Sequence, residues 1–433
     1  MARRKETGDR PEFTAEMRRD YTILLPNMCG IHFEIIKNVF LNHGYKVELL
    51  TTTGREIVDE GLKYVHNDTC YPALLTIGQM MQALHSGKYD LNKVALVMTQ
   101  TGGGCRASNY IHLLRKALQA DGLGHIPVIS LSAAGLEKNS GFKITLPMLR
   151  AALAGILYGD ELMLLSNQTR PYEKNPGETD ALVDRWVARL SELFRERKAY
   201  QRRVMPRWLD EIARSFAAVE RAERPEVVKV GIVGEIYVKY SPLANNHLEE
   251  FLASQGCEVM VPGLLGFLLY CTDNPVEDID LYGGSRLKRL TRLVAAKYLR
   301  GFEDELIRAV EKQEIFTAPW PHEKLFEAGK TVIGGGCKMG EGWLLTAEMV
   351  ELISHGYSNI VCTQPFGCLP NHIVGKGMIR KLRERYDGAN IVAIDYDPGA
   401  TRVNQENRIK LMLAVARENL AASREKEKTT ALV

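Results

Sequence analysis

The sequence predicts an α/β protein of two similar lobes, each a parallel sheet flanked by helices, joined by a helical connector. Two observations predict it. Short apolar runs bounded by turn residues alternate with helical patterns over 21–132 and again over 227–399, the mark of parallel sheets with helices on their faces. The segment VMTQTGGGC (97–105) also returns as VCTQPFGC (361–368), with the same apolar strand, Thr-Gln and terminal Gly-Cys. An internal repeat of this kind implies two related units, with a cleft between them as the natural place for a buried cofactor.

Taken in order, residues 1–19 read as a flexible, solvated arm, and 20–145 as lobe one. Within that lobe YTILLP (21–26), KVELL (46–50), VALVMTQ (94–100) and PVISLS (127–132) read as strands, the third ending in Gly102, Gly103 and Gly104. Helices are expected near 31–43, 72–86 and 107–119. Residues 146–225 are charged and helical in pattern and read as the connector. Lobe two spans 226–420, with strands in VVKVGIVGEI, CEVMVPG, NIVCTQ and NIVAIDYDPG and a helical insertion over 264–328. Its helices are expected near 245–255, 344–355 and 371–386, and residues 421–433 read as a flexible, polar tail.

Bulk composition narrows the function. The chain has 433 residues, 45% hydrophobic and 25% charged, as in ordinary globular proteins. A net charge of +3 gives no reason to expect nucleic acid or an anionic membrane as partner. No run approaches the roughly 20 apolar residues of a membrane helix. The opening MARRKETGDRPEF lacks an apolar core, so no signal peptide is expected. A cytoplasmic location is the expectation, and there the eight cysteines are not expected to form disulfides. Burial or metal ligation must account for them.

Three cysteines sit where a strand hands over to a helix: Cys70 in HNDTCYPALL, Cys105 in TQTGGGCRASNY and Cys368 in TQPFGCLPNH. The first helical turn carries unpaired N–H groups and the positive end of the helix dipole. Both favour thiolate, the form that binds metal. Pro72 and Pro370 suit such a helix start. Cys29 lies at the first strand–helix junction of lobe one, Cys337 follows three glycines in TVIGGGCKMGEG, and Cys362 ends an apolar strand. Each lobe thus offers three candidate thiols, while Cys257 and Cys271 lie in apolar runs and read as core. Arg106, Asn109, Gln100 and Gln364 flank the loops. They either direct donors at cluster sulfides or cap the following helices.

Three chemistries compete for these thiols. Structural zinc sites show paired C-x₂₋₄-C knuckles, absent here. A Cys/His nucleophile would draw on His32, His66 or His372, near the loops. Iron–sulfur clusters take four thiolates from scattered positions, the pattern that fits best. No P-loop and no G-x-G-x-x-G fingerprint is present, so nothing points to ATP or a dinucleotide bound by this chain.

HNDTCYPALLTIGQM, TQTGGGCRASNYI, GEGWLLTAEMVELI and CTQPFGCLPNHIVGKGMIRKLRERY with NIVAIDYDPGATRVNQENRIKLML resemble the 2-hydroxyacyl-CoA dehydratase and benzoyl-CoA reductase superfamily. The likeness is strongest to the carboxy-terminal segment of its large activase-related proteins, and it covers most of residues 12–415. It implies two α/β lobes, an oxygen-sensitive iron–sulfur cluster, and electrons from a separate ATP-hydrolysing activator protein. The implied substrate is an acyl-CoA in the 4Fe-4S dehydratases. In a sister branch with an 8Fe-9S double-cubane cluster held by six cysteines it is a small molecule reduced at low potential. Cysteine is not universal in the family at the positions of Cys29 and Cys337. The resemblance therefore leaves two ligand sets: all six thiols for a double cubane, or Cys70, Cys105, Cys362 and Cys368 for one 4Fe-4S cluster. It also implies a homodimer as one arrangement. The alternative to an enzyme is a non-catalytic electron-transfer or cluster-carrying subunit.

Overall fold

The computed structural model describes residues 10–100, 104–132, 137, 139–223 and 226–431. Gly102 and Gly103 of the expected glycine turn, residues 1–9 of the arm and 432–433 of the tail lie outside them. The described chain separates into one unit ending at Ala152 and a second beginning at Leu153.

The first unit holds β1 (Thr22–Pro26), β2 (Lys46–Leu50), β3 (Val94–Thr99) and β4 (Val128–Leu131). They form one sheet in the order β2-β1-β3-β4, and every pairing is parallel. The second unit holds β5 (Lys229–Gly234), β6 (Glu258–Met260), β7 (Asn359–Pro365) and β8 (Asn390–Tyr396). Its order, β6-β5-β7-β8, repeats the first, again all parallel. The repeat visible in the residues is therefore a repeat of topology. In each sheet the order reverses beside the first strand, where open α/β sheets place their ligands at the carboxyl edge.

The helix before the third strand is buried nearly all round in both units: Tyr71–His85 in the first and Gly342–Ser354 in the second. A helix buried on all its faces must be covered on every side. In the first unit that cover includes the helix Arg55–Tyr64, which the sequence reading did not resolve. The two helices cross so closely that a Cβ on Gly78 would lie 2.2 Å from the Ile57 carbonyl oxygen and one on Gly61 2.4 Å from that of Leu74. Glycine is what allows this approach. In the second unit Trp343, Tyr270, Leu325, Leu344 and Ala347 form one core cluster.

Several boundaries differ from expectation. The arm is packed from Phe13 onward: its ring is fully buried against Tyr21, and its carbonyl accepts the Gly141 N–H. The connector forms the helices Leu146–Thr169, Glu178–Arg195 and Met205–Ala217, and from Leu153 on it belongs to the second unit. The insertion forms Leu264–Tyr282, Arg286–Glu311 and His322–Lys330. The helix expected near 371–386 is broken into Leu369–Val374 and Ile379–Arg385. The break is at Gly375, where a Cβ would meet the Asn371 carbonyl oxygen at 2.7 Å. Residues 421–431, read as tail, continue the helix Arg402–Ala431, since Ala, Arg, Glu and Lys are all good helix formers.

Candidate functional site

In the first unit three thiols stand at helix starts. Cys29 is the N-cap of Gly30–Asn42, Cys70 that of Tyr71–His85, and Cys105 that of a 3₁₀ turn, Arg106–Asn109, leading into Tyr110–Ala120. Gln79, in the third turn after Cys70, donates to the carbonyls of Leu50 (3.4 Å) and Thr52 (2.8 Å) at the end of β2. That clamp ties the third turn of the helix to the end of β2. The Cys70 Sγ lies 2.9 Å from the Tyr110 hydroxyl, so the Cys70 thiol meets the helix that follows Cys105. Cys29 Sγ lies 2.8 Å from His32 Nδ1, both residues buried. Of the three histidines considered, His32 is the one that touches a thiol, whereas His66 bonds its own loop at the Asp68 N–H.

In the second unit the junction matching Cys29 holds Glu235. Its carboxylate caps the helix Ile236–Tyr240 by accepting the Val238 N–H at 2.9 Å. Glu341 accepts the Ile236 N–H at 3.0 Å through one oxygen and Asn371 Nδ2 at 2.9 Å through the other. The same Asn371 nitrogen lies 3.4 Å from Cys368 Sγ. Cys368 is the N-cap of Leu369–Val374. Cys337 is exposed in the preceding loop, where its carbonyl accepts the Trp343 N–H at 2.6 Å. Gly342 sits at φ +49° against that carbonyl, too close for any Cβ. A Cβ on Gly340 would stand 3.2 Å from Pro370, so the loops bearing Cys337 and Cys368 are in contact. Cys362 is fully buried on β7. A Cβ on Gly375 would lie 3.1 Å from its sulfur.

In this unit burial works against one expectation. Helix starts were expected to favour thiolate, yet burial pushes the Cys368 thiol up to about 12, with Glu341 and Glu235 adding to it and Asn371 opposing. Burial likewise pushes Cys362 up to about 12, with Asp395 and Glu348 adding to it. Desolvation and nearby carboxylates both disfavour the charged thiolate there. Glu235 and Glu341 are themselves held above the usual carboxylate range by burial, Glu235 also by the negative charge of Glu341. A proton or a metal cation is what makes such a cluster of acids and thiols electrically tolerable.

The two glutamines do not reach outward. Gln100 accepts from Ser130 Oγ at 2.8 Å, and Gln364 donates to Asp395 at 2.6 Å. Each ties its strand end to the neighbouring fourth strand. Arg106 is exposed. Cys257 is core as expected, whereas Cys271 is exposed, because its helix turns Leu269 and Tyr270 inward instead.

The buried carboxylates escaped the sequence reading. Lys239 forms a bidentate ion pair with Glu348 at 3.1 and 3.3 Å, both residues at most 5% exposed. The signal was present in GEGWLLTAEMVEL: Glu341, Glu348 and Glu351 interrupt an apolar run at spacings of seven and three, one helical face.

Among the described residues no three His, Cys, Asp or Glu side chains converge as a metal-holding set, and no helix is long and apolar enough to cross a membrane. No family model matches the chain, and no curated protein is significantly similar to it.

Proposed function

We propose that this chain is an iron–sulfur redox enzyme of the kind its sequence resembles, supplied with low-potential electrons by a separate ATP-hydrolysing activator. One observation carries the reading: two units of identical strand order each present cysteines at helix starts, Cys29, Cys70 and Cys105 in one and Cys368 in the other, with Cys337 exposed in the loop before Gly342–Ser354. Soft sulfur ligands on rigid helix starts, deprotonated as metal binds, fit an iron–sulfur cluster better than they fit oxygen-seeking cations. Cys362 completes a set of three in the second unit, though its sulfur is packed beneath Gly375. Bound cluster would supply single electrons, for loss of a β-hydroxyl from a 2-hydroxyacyl-CoA or for reduction of a small unsaturated molecule. The protein's own part is to position and shield. Asn371 orients the Cys368 sulfur, the Glu341 carboxylate anchors Asn371, and the glycines of the Cys337 loop admit a group close to the backbone.

Iron and acid-labile sulfide measured on anaerobically purified protein test this. About eight irons per chain match six thiols and a double cubane, and about four match a single cluster. Protein with no iron, or with stoichiometric zinc, overturns the reading.

A further inference from the structure

A second feature of the second unit is the hairpin formed by the helices Leu264–Tyr282 and Arg286–Glu311. The first of these holds the Cys337 loop. Its Tyr270 hydroxyl donates to the Lys338 carbonyl at 2.5 Å, its Asp278 pairs with Lys338, and its Leu281 and Tyr282 stand against Gly336. Two more of its acids hold the second helix. Asp280 accepts from Arg289 at 2.7 and 3.0 Å, and Asp273 accepts from Arg300 at 2.9 Å.

The outer face of the second helix has a different make-up. Leu287, Leu290 and Val294 are 70%, 58% and 63% exposed. With Tyr298 they recur at spacings of three and four, which is one stripe of a helix, while Ala296 on the inner face is fully buried. At 3.6 residues per turn, Arg286 and Lys297 border the stripe on one side and Lys288 and Arg292 on the other. These four are exposed and, unlike Arg289 and Arg300, form no ion pair among the described residues. No acid occurs from Ser285 to Phe302. The Arg202 guanidinium adds a further cation 5.6 Å from the Tyr298 ring. The whole-chain charge of +3 conceals this local excess.

We propose that this outer face docks an acidic protein, whose carboxylates surround an apolar groove that takes Leu287, Leu290 and Val294. Charge complementarity selects that occupant. A second copy of this chain would set cations against cations along the stripe, a juxtaposition that opposes pairing. The three aliphatic side chains hold fewer carbons than one myristoyl chain, which alone binds a bilayer only marginally. Anchors at i, i+3 and i+7 are how a helix face fills a protein groove. The partner that the proposed function calls for is an electron donor. Docked here, it sits on the helix whose neighbour holds the Cys337 loop. The donor role rests on the proposed function; the docking face does not.

Calorimetric titration of the full-length protein with a small acidic ferredoxin as probe, at low ionic strength, tests the face. Binding is expected, about tenfold or more weaker in Leu290→Asp and in Arg286→Glu combined with Arg292→Glu, and lost as salt is raised. All three positions are exposed, and an unaltered urea midpoint shows the fold intact. No binding, or equal affinity in both variants, overturns the proposal. Tighter binding to phosphatidylglycerol vesicles than to the ferredoxin overturns it in favour of a membrane contact. A dimer that Leu290→Asp splits into monomers overturns it in favour of a contact between copies. The donor role is tested on iron-loaded protein reduced with titanium(III), which passes one electron to the oxidised ferredoxin. That rate is expected to fall about tenfold in the double arginine variant, with oxidation by methyl viologen unchanged. An unaltered rate overturns the donor role. Protein that binds the ferredoxin but holds no iron refutes the proposed function and the donor role with it, and leaves the docking face standing.

Discussion

Gln364 donates from Nε2 to the Asp395 carboxylate across 2.6 Å, tying the end of β7 to β8. Gln100 makes the corresponding tie in the other unit, accepting from Ser130 on β4. The repeated Thr-Gln is thus a strand staple in both places. Gln364→Leu is expected to lower stability by about 1.5–3 kcal/mol, the worth of a hydrogen bond to a charged group, with iron content unchanged. Urea unfolding and iron analysis check this together. Unaltered stability with a shifted cluster potential would return Gln364 to the cluster.

The Lys239–Glu348 pair is almost fully withdrawn from water. Removing one partner leaves an uncompensated charge, so Lys239→Met is expected to cost about 3–5 kcal/mol. Lys239→Met combined with Glu348→Leu is expected to recover most of that loss. Denaturant midpoints of the two single variants and the double variant close the cycle.

Thiol reactivity separates the cysteines of the second unit. In metal-free protein near pH 8, iodoacetamide is expected to label exposed Cys337 first. Cys368 and Cys362, both with thiols pushed up to about 12, are expected to stay unlabelled until the protein unfolds. Peptide mass spectrometry over a time course reads the order. Rapid labelling of Cys368 would mean that its helix start does activate the thiol.

Stability should fall as pH rises across the neutral range. Glu303 and Glu351 bind protons more tightly in the folded chain, at about 7 and about 8, than an unfolded glutamate does at about 4.3. Between those values the folded state holds protons that the unfolded state has released, so unfolding becomes more favourable with each pH unit. The contribution of these two groups levels off above about 8, once Glu351 ionises in both states. Glu351→Gln should flatten the decline, and thermal unfolding between pH 5 and 9 measures it.

Much of the architecture was legible because its signals are local. Seven of the eight strands lie within the segments read as strands, and Asn359–Pro365 runs one residue beyond NIVCTQ. The buried helix at Tyr71 begins where Cys70 and Pro72 say it should. What escaped was set by partners distant in sequence. The break at Gly375 follows from Cys362 packing beneath it, and the exposure of Cys271 from which face its helix buries. The burial of Phe13 follows from the segment near Gly141.

The residues alone therefore determined the alternation of strands and helices, the duplication of the sheet and the placing of thiols at helix starts, since periodicity, turn chemistry and repetition are written along the chain. Only the tertiary structure decided which thiols are exposed, that Gln364 turns to Asp395, and that Glu341 holds Asn371 against Cys368. Those outcomes join positions some thirty residues apart. Their energies are those of burial and of a hydrogen bond made in a site closed to water, quantities that exist only once the chain has folded around them.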